Sequence, residues 1–239
     1  MSEGSPTRRT WDTSKEEPEK WAQKRRLADA MRVVIERLTH SDAPEHELRR
    51  AAEGLEAYAQ ALAGHPRLRF VHGYAESANA GDVAAFFDRS PMIGLANPLA
   101  PPITLEKTGE RSAEGRVVFG TAYEGPPGHV HGGFVAAAFD EVLGFVQSLS
   151  GRPGMTGTLV VRYRSPTPLH TELRFEAEYL RAEGRKLFTE SRVYAGDVVC
   201  AEAEGIFVSI ERSRFEELET LRSEREAARE GEANGSEGA

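Results

Sequence analysis

Apolar and polar positions alternate along the chain in three distinct textures. Leu27, Met31, Val34 and Leu38 recur at helical spacing with charged residues between them, and Leu48, Ala52, Leu55, Ala59 and Leu62 repeat the pattern. Such spacing predicts two successive amphipathic helices. Ser41, Asp42 and Pro44 punctuate them. Ser and Asp accept hydrogen bonds from the free N–H groups of a helix start and Pro tolerates its first turn, so the connection is short and the pair forms a helical hairpin. Gly64-His65-Pro66 ends the second helix. From Asp82 to Pro102, prolines 91, 98, 101 and 102 with Gly94 and Asn97 limit helix to about one turn around Val83 to Phe87.

The texture then changes. Ile103 to Lys107 and Arg116 to Thr121 read as short strands, with glycines 109 and 115 between them. Gly132 to Leu149 is the most apolar segment, too long for a typical strand and apolar on nearly every face, which predicts a buried helix. After the Gly151-Arg152-Pro153-Gly154 turn, three or four strands follow. Leu173, Phe175, Ala177 and Tyr179 alternate with charged residues, as a sheet with one wet face requires. Ala182-Glu183-Gly184 and Ala195-Gly196-Asp197 are hairpin turns, and Ile206 to Ile210 is the closing strand. The fold class is α+β: strands, one buried helix, then an antiparallel meander whose apolar face covers that helix.

The flanks look different. Residues 1–17 are polar and aperiodic and are expected to be a disordered arm, residues 18–66 a helical hairpin extension, and residues 211–239 a charged tail, helical and then disordered. With 39% hydrophobic and 28% charged residues, the 239-residue chain has the material for a buried core. The formal charge of −8 argues against a nucleic-acid or anionic-membrane binder. Residues 151–200 oppose the overall sign, with eight basic against six acidic side chains. Cys200 is alone, so no intramolecular disulfide forms, and in an apolar strand it reads as a small core residue. No secretory h-region and no membrane-length apolar run is present, and the expected localisation is cytoplasmic.

Candidate chemistry centres on Asp140, in the middle of the apolar helix. An unpaired carboxylate in apolar surroundings is costly. Asp140 and Glu141 either mark the one wet stripe of the helix or supply a catalytic carboxylate in a cleft. His131-Gly132-Gly133 precede the helix, where free N–H groups and the positive end of the helix dipole suit a developing oxyanion. Gly133 and Asp140 are seven residues apart, about 10 Å along one helix axis, a stretch for one small reacting centre. Two such helices antiparallel across a dimer would bring one subunit's helix start to the other's carboxylate. The chain lacks a G-x-S-x-G elbow, a Walker loop and a dinucleotide fingerprint, and His129 and His131 have no second cluster with which to hold a metal.

The run from Glu124 through Gly128-His129-Val130-His131-Gly132-Gly133 to Phe139-Asp140 resembles the hallmark of hotdog-fold acyl-CoA thioesterases of the PaaI-like type, including the mitochondrial thioesterase-superfamily-member proteins. The likeness continues through Gly154-Met155-Thr156, Tyr163-Arg164-Ser165-Pro166-Thr167-Pro168-Leu169 and Glu183-Gly184-Arg185-Lys186, over roughly residues 82–210. It implies a hotdog domain, a long central helix wrapped by an antiparallel sheet, that hydrolyses acyl-CoA to free acid and CoA as a homodimer or homotetramer without cofactor or metal. By the same resemblance Asp140 is the catalytic base or nucleophile, Gly133 the backbone oxyanion donor, and His131 the residue that shapes the turn. Thr156 then holds the attacking water, and Arg162, Arg164, Arg185 and Lys186 meet the phosphates of CoA. Phe134, Phe139 and Phe145 line an acyl tunnel or fill the core, with core favoured. The rival classes are a non-catalytic acyl-CoA binding or regulatory module, motivated by the helical hairpin and acidic tail, and a hotdog hydratase, whose Asp and His pair this helix does not show.

Overall fold

The computed structural model describes residues 19–66, 88–152, 154–210 and 221. The expected arm at 1–17, the helical turn around 83–87 and the tail at 211–239, Leu221 apart, lie outside them. Helices α1 (Glu19–Thr39) and α2 (Glu45–Ala63) come first, then strands β1 (Thr104–Lys107) and β2 (Ser112–Val118). A 3₁₀ turn at Thr121–Tyr123 leads to the long helix α3 (Gly132–Ser148). Strands β3 (Gly154–Tyr163), β4 (Glu172–Glu183), β5 (Lys186–Ala195) and β6 (Val198–Ser209) complete an antiparallel sheet of order β1-β2-β4-β5-β6-β3.

One face of this sheet wraps α3, which is the hotdog arrangement. Phe139, Val142, Leu143 and Phe145 of α3 are fully buried against Leu173, Phe175, Leu187, Val193 and Phe207. The Phe139 and Phe175 rings meet edge to face at 5.2 Å. Apolar side chains at every second strand position supply this surface while charged residues occupy the other face, which is why the period-2 pattern was readable. Phe139 and Phe145 are therefore core residues. Phe134 is only half-buried and packs edge-on against Tyr123, 4.9 Å away, beside the start of the helix. Cys200 is buried as expected, and burial pushes its thiol pKa up.

The two expected hairpin turns form, each with a glycine of positive φ at its first central position (Gly184, 57°; Gly196, 59°), the pattern of a type II′ turn. The second strand differs from its sequence-based limits, beginning at Ser112 rather than Arg116. Gly115 lies inside it, because a Cβ there would stand 3.2 Å from both Leu105 and Val142. The glycine lets α3 approach the sheet closely and is not a break between strands.

Helix α1 docks on the domain through a polar stripe. Arg25 donates two hydrogen bonds to the buried Asp88 carboxylate, at 2.8 and 2.9 Å. Arg32 donates to the carbonyls of Asn97 (2.7 Å) and Leu95 (3.0 Å), and Ala28 between them is buried. One turn on, Glu36 accepts from the Thr121 hydroxyl at 2.8 Å. Partial burial works to raise the pKa of Glu36, yet hydrogen bonds from Thr121 and the Ala122 N–H outweigh it and hold the group below the usual carboxylate range. The loop that carries Asp88, Leu95 and Asn97 is thereby fixed between α1 and α3.

Candidate active site

The loop before α3 is shaped by its own sequence. Pro127-Gly128 occupies the middle of a tight turn closed by the His129 N–H on the Pro126 carbonyl (2.9 Å), with Gly128 at φ 76°. Proline followed by a positive-φ glycine is the signature of a type II turn. The His131 N–H then donates to Tyr123 (2.8 Å), which fixes where the helix begins.

His131 is the N-cap residue, and its Nδ1 accepts from the Gly133 N–H at 3.0 Å. In a neutral ring that geometry places the proton on Nε2. The Gly133 N–H, the oxyanion donor that the resemblance implies, is thus engaged by the neighbouring imidazole. The Gly132 N–H has no acceptor among the described residues, and the Tyr163 hydroxyl holds the same residue by donating to its carbonyl at 2.7 Å. A donor at the positive end of a helix, unpaired and beside a glycine, is available to an incoming carbonyl oxygen.

Two turns along the same helix, Asp140 is solvent-exposed and its Oδ1 accepts from the Thr156 hydroxyl at 2.7 Å. This contact depends on a β-bulge. Thr156 pairs with Phe207 and Thr158 with Ile206, so Gly157 is an extra residue in β3. Unbroken alternation through Gly157 would put Thr156 on the face shared by Thr158, Val160 and Arg162. Because the bulge absorbs Gly157, Thr156 instead joins Phe207 on the face toward α3.

Glu141, adjacent to Asp140, points to a different neighbour. Its Oε2 accepts from the Ser90 hydroxyl at 3.1 Å, while Ser90 Oγ itself accepts from the N–H groups of Met92 (3.1 Å) and Ile93 (3.2 Å). Burial pushes the Glu141 pKa up to about 7, against the Ser90 hydrogen bond, which lowers it, and with the Asp140 charge, which raises it. One of the two readings the sequence left open placed Asp140 and Glu141 together on a wet stripe of the helix. Only Asp140 lies there; Glu141 is half-buried against the 88–102 loop.

The four basic positions separate into two places. Arg162 and Arg164 share a face, as their spacing predicts, but it is the outer face of the sheet, away from α3. There Arg162 pairs with Glu204 (2.7 Å) and Arg164 with Glu202 (2.7 Å). A groove beside them is lined by Glu176, Glu190, Glu202 and Glu204, with Arg162 and Arg192. Arg185 and Lys186 lie instead at the β4–β5 turn. Arg152, not singled out from sequence, joins them by donating to the Gly184 carbonyl at 2.8 Å, and Arg185 donates to the Ser209 carbonyl at 3.1 Å. Ser209 pairs with Gly154, so this basic end of the sheet adjoins the start of β3, two residues before Thr156. Among the described residues no cluster of three or more His, Cys, Asp or Glu could hold a metal, and no helix is long and apolar enough to cross a membrane.

Comparison with known proteins agrees with this fold. The sequence model of the thioesterase superfamily matches residues 127–202. Acyl-coenzyme A thioesterase THEM4 of Xenopus laevis is 32% identical over 93 residues, covering 38% of this chain and 42% of the relative. Human acyl-coenzyme A thioesterase THEM5 is 30% identical over 94 residues, 38% of each chain. The chain thus spans about two fifths of the length of these curated relatives. A solved thioesterase superfamily protein superposes with a TM-score of 0.70 at 34% identity, over 77% of this chain and 94% of that one. With nearly the whole of that protein matched in both sequence and fold, the chain belongs to the thioesterase superfamily.

Proposed function

We propose that this chain hydrolyses acyl-CoA thioesters to a free carboxylic acid and CoA. The observation that carries the reading is the Asp140 carboxylate held by Thr156 on the helix whose start presents an unpaired amide. Asp140 either takes a proton from water as the water oxygen adds to the thioester carbon, or adds to that carbon itself. In both cases the carbonyl oxygen gains negative charge, the C–S bond breaks and the CoA sulfur leaves. In the first case the sulfur takes the proton held by Asp140; in the second it takes one from water, which then cleaves the acyl–Asp140 anhydride, releasing the acid and restoring the carboxylate. The thioester oxygen is met by the Gly132 N–H, or by that of Gly133 once the imidazole of His131 turns away. The single proton of the Thr156 hydroxyl is committed to Asp140, so Thr156 orients the carboxylate and receives water only as an acceptor.

The ~10 Å between helix start and carboxylate along one axis calls for a second copy. Strand β3 is a ten-residue edge with Met155, Val160 and Tyr163 exposed, a ready template for pairing with the same strand of a second chain, as homodimer or homotetramer. Arg185, Lys186 and Arg152 are the cations best placed to meet CoA phosphates. Arg162 and Arg164 do so only by giving up their glutamate partners.

The non-catalytic binding reading is separated by one experiment, release of CoA thiol from a panel of straight-chain and aromatic acyl-CoA thioesters by the full chain. Turnover of at least one supports hydrolysis; saturable binding without thiol release supports the binding module and overturns the proposal.

A further inference from the structure

The helical extension docks through polar side chains and leaves its apolar side uncovered. On α1, Arg25, Arg32 and Glu36 make the contacts with the domain. Leu27, Val34 and Leu38 each follow one of these by two residues, about 200° round the helix, and so lie on nearly the opposite side. Met31, Val34 and Leu38 are 38%, 43% and 60% exposed. Helix α2 has no buried residue at all, and Leu48, Leu55, Tyr58 and Leu62 are 42% to 49% exposed. An amphipathic helix ordinarily spends its stripe on a core; here neither helix does.

The spacing specifies the kind of partner. Leu27, Met31, Val34 and Leu38 are separated by four, three and four residues, and Leu48, Ala51, Leu55, Tyr58 and Leu62 by three, four, three and four. Both are a/d seams of the heptad type, which fit another helix with the same repeat and not a flat sheet or a lipid face. The helices have matching lengths of 21 and 19 residues, each about 30 Å long. Their charges are opposite. Helix α1 carries six basic and three acidic side chains, helix α2 two basic and four acidic. The exposed seam side chains offer roughly 600 Å² per chain, or about 1,200 Å² when two copies meet, the lower end of a specific interface.

We propose that this extension is an interaction surface for a second copy of this chain, with α1 of one protomer laid against α2 of the other about a two-fold axis. Within a protomer α1 and α2 do not pack along one another, so each helix lacks such a partner. In a two-fold pairing the α1 seam meets α2 and the α2 seam meets α1, so both seams and both charge excesses are satisfied at once. The contact is separate from the β3 edge and does not depend on the chain's being a hydrolase.

The test is the mass of the full-length chain by sedimentation equilibrium, for the wild type and for Met31→Glu, Leu55→Glu and Val33→Glu. All three positions are exposed in the protomer, so the variants fold, which far-UV circular dichroism checks. Met31→Glu and Leu55→Glu place a carboxylate in the seam and are expected to weaken assembly about 100-fold or halve the mass. Val33→Glu, on α1 but off the seam, leaves the mass unchanged. A wild-type mass retained by both seam variants, or an equal loss from Val33→Glu, overturns the proposal.

Discussion

Glutamine in place of Glu141 removes an ionisation without removing the shape of the side chain or its acceptance of the Ser90 hydroxyl. In the native protein, burial raises the pKa of Glu141 from 4.5 to about 7. Below pH 4.5 the carboxyl is protonated in both native and unfolded chains and contributes nothing to the pH dependence. As pH rises from 4.5 toward 7 the unfolded chain loses this proton while the native chain keeps it. Native stability therefore falls across that window and levels off above it. A shift of this size corresponds to about 3 kcal/mol, which we discount to about 2 kcal/mol because Glu141 is only half-buried. Urea unfolding of wild type and Glu141→Gln at pH 5 and pH 8 reads the difference directly. The variant should gain about 2 kcal/mol on the wild type between the two pH values. A stability difference that stays constant across that range refutes the reasoning, since it would mean that Glu141 titrates alike in both states.

Three further changes test how the fold positions the site. Thr156→Val removes a hydrogen bond to a carboxylate and should lower kcat/KM by about 10- to 100-fold, while Thr156→Ser stays within a few-fold; equal activity in all three proteins would show that the 2.7 Å contact is idle. Deleting Gly157 removes the bulge yet leaves Thr156 paired with Phe207, next to Thr158 and on the face toward α3, so thioester turnover should stay within about tenfold of wild type; a drop to the level of Thr156→Val would contradict the assigned register. Arg25→Ala strands the buried Asp88 carboxylate and should cost about 3 kcal/mol in urea unfolding, with a loss below 1 kcal/mol showing that α1 does not hold the 88–102 loop.

Where the sequence pattern recorded burial, it was legible. The apolar helix at 132–148 and the alternation at Leu173, Phe175 and Ala177 are each written by contact with the core, and the glycine turns by positive φ. Features set by a single backbone irregularity or by a distant partner left no local trace. Gly115 and Gly157 look alike as strand glycines, yet one accommodates α3 and the other creates the bulge that aims Thr156. Glu141 reads as the wet neighbour of Asp140 until Ser90, 51 residues earlier, is brought against it. The Gly133 amide reads as free until the imidazole two residues before it closes over it. Arg162 and Arg164 were correctly placed on one face, but which face depends on the sheet's register with Glu202 and Glu204. The helical spacing of apolar residues in both helices was visible, whereas the exposure of their apolar faces follows from the polar stripe by which α1 docks.

The most direct test of the central claim is free-thiol release from an acyl-CoA substrate by Asp140→Ala beside the wild-type chain. Asp140 is exposed and makes one hydrogen bond, to Thr156, so the variant should fold and assemble as the wild type does. If Asp140 is the base or nucleophile, kcat falls by about a hundredfold or more. Turnover within a few-fold of wild type would contradict the account, because no other carboxylate on α3 shares its exposed position facing Thr156.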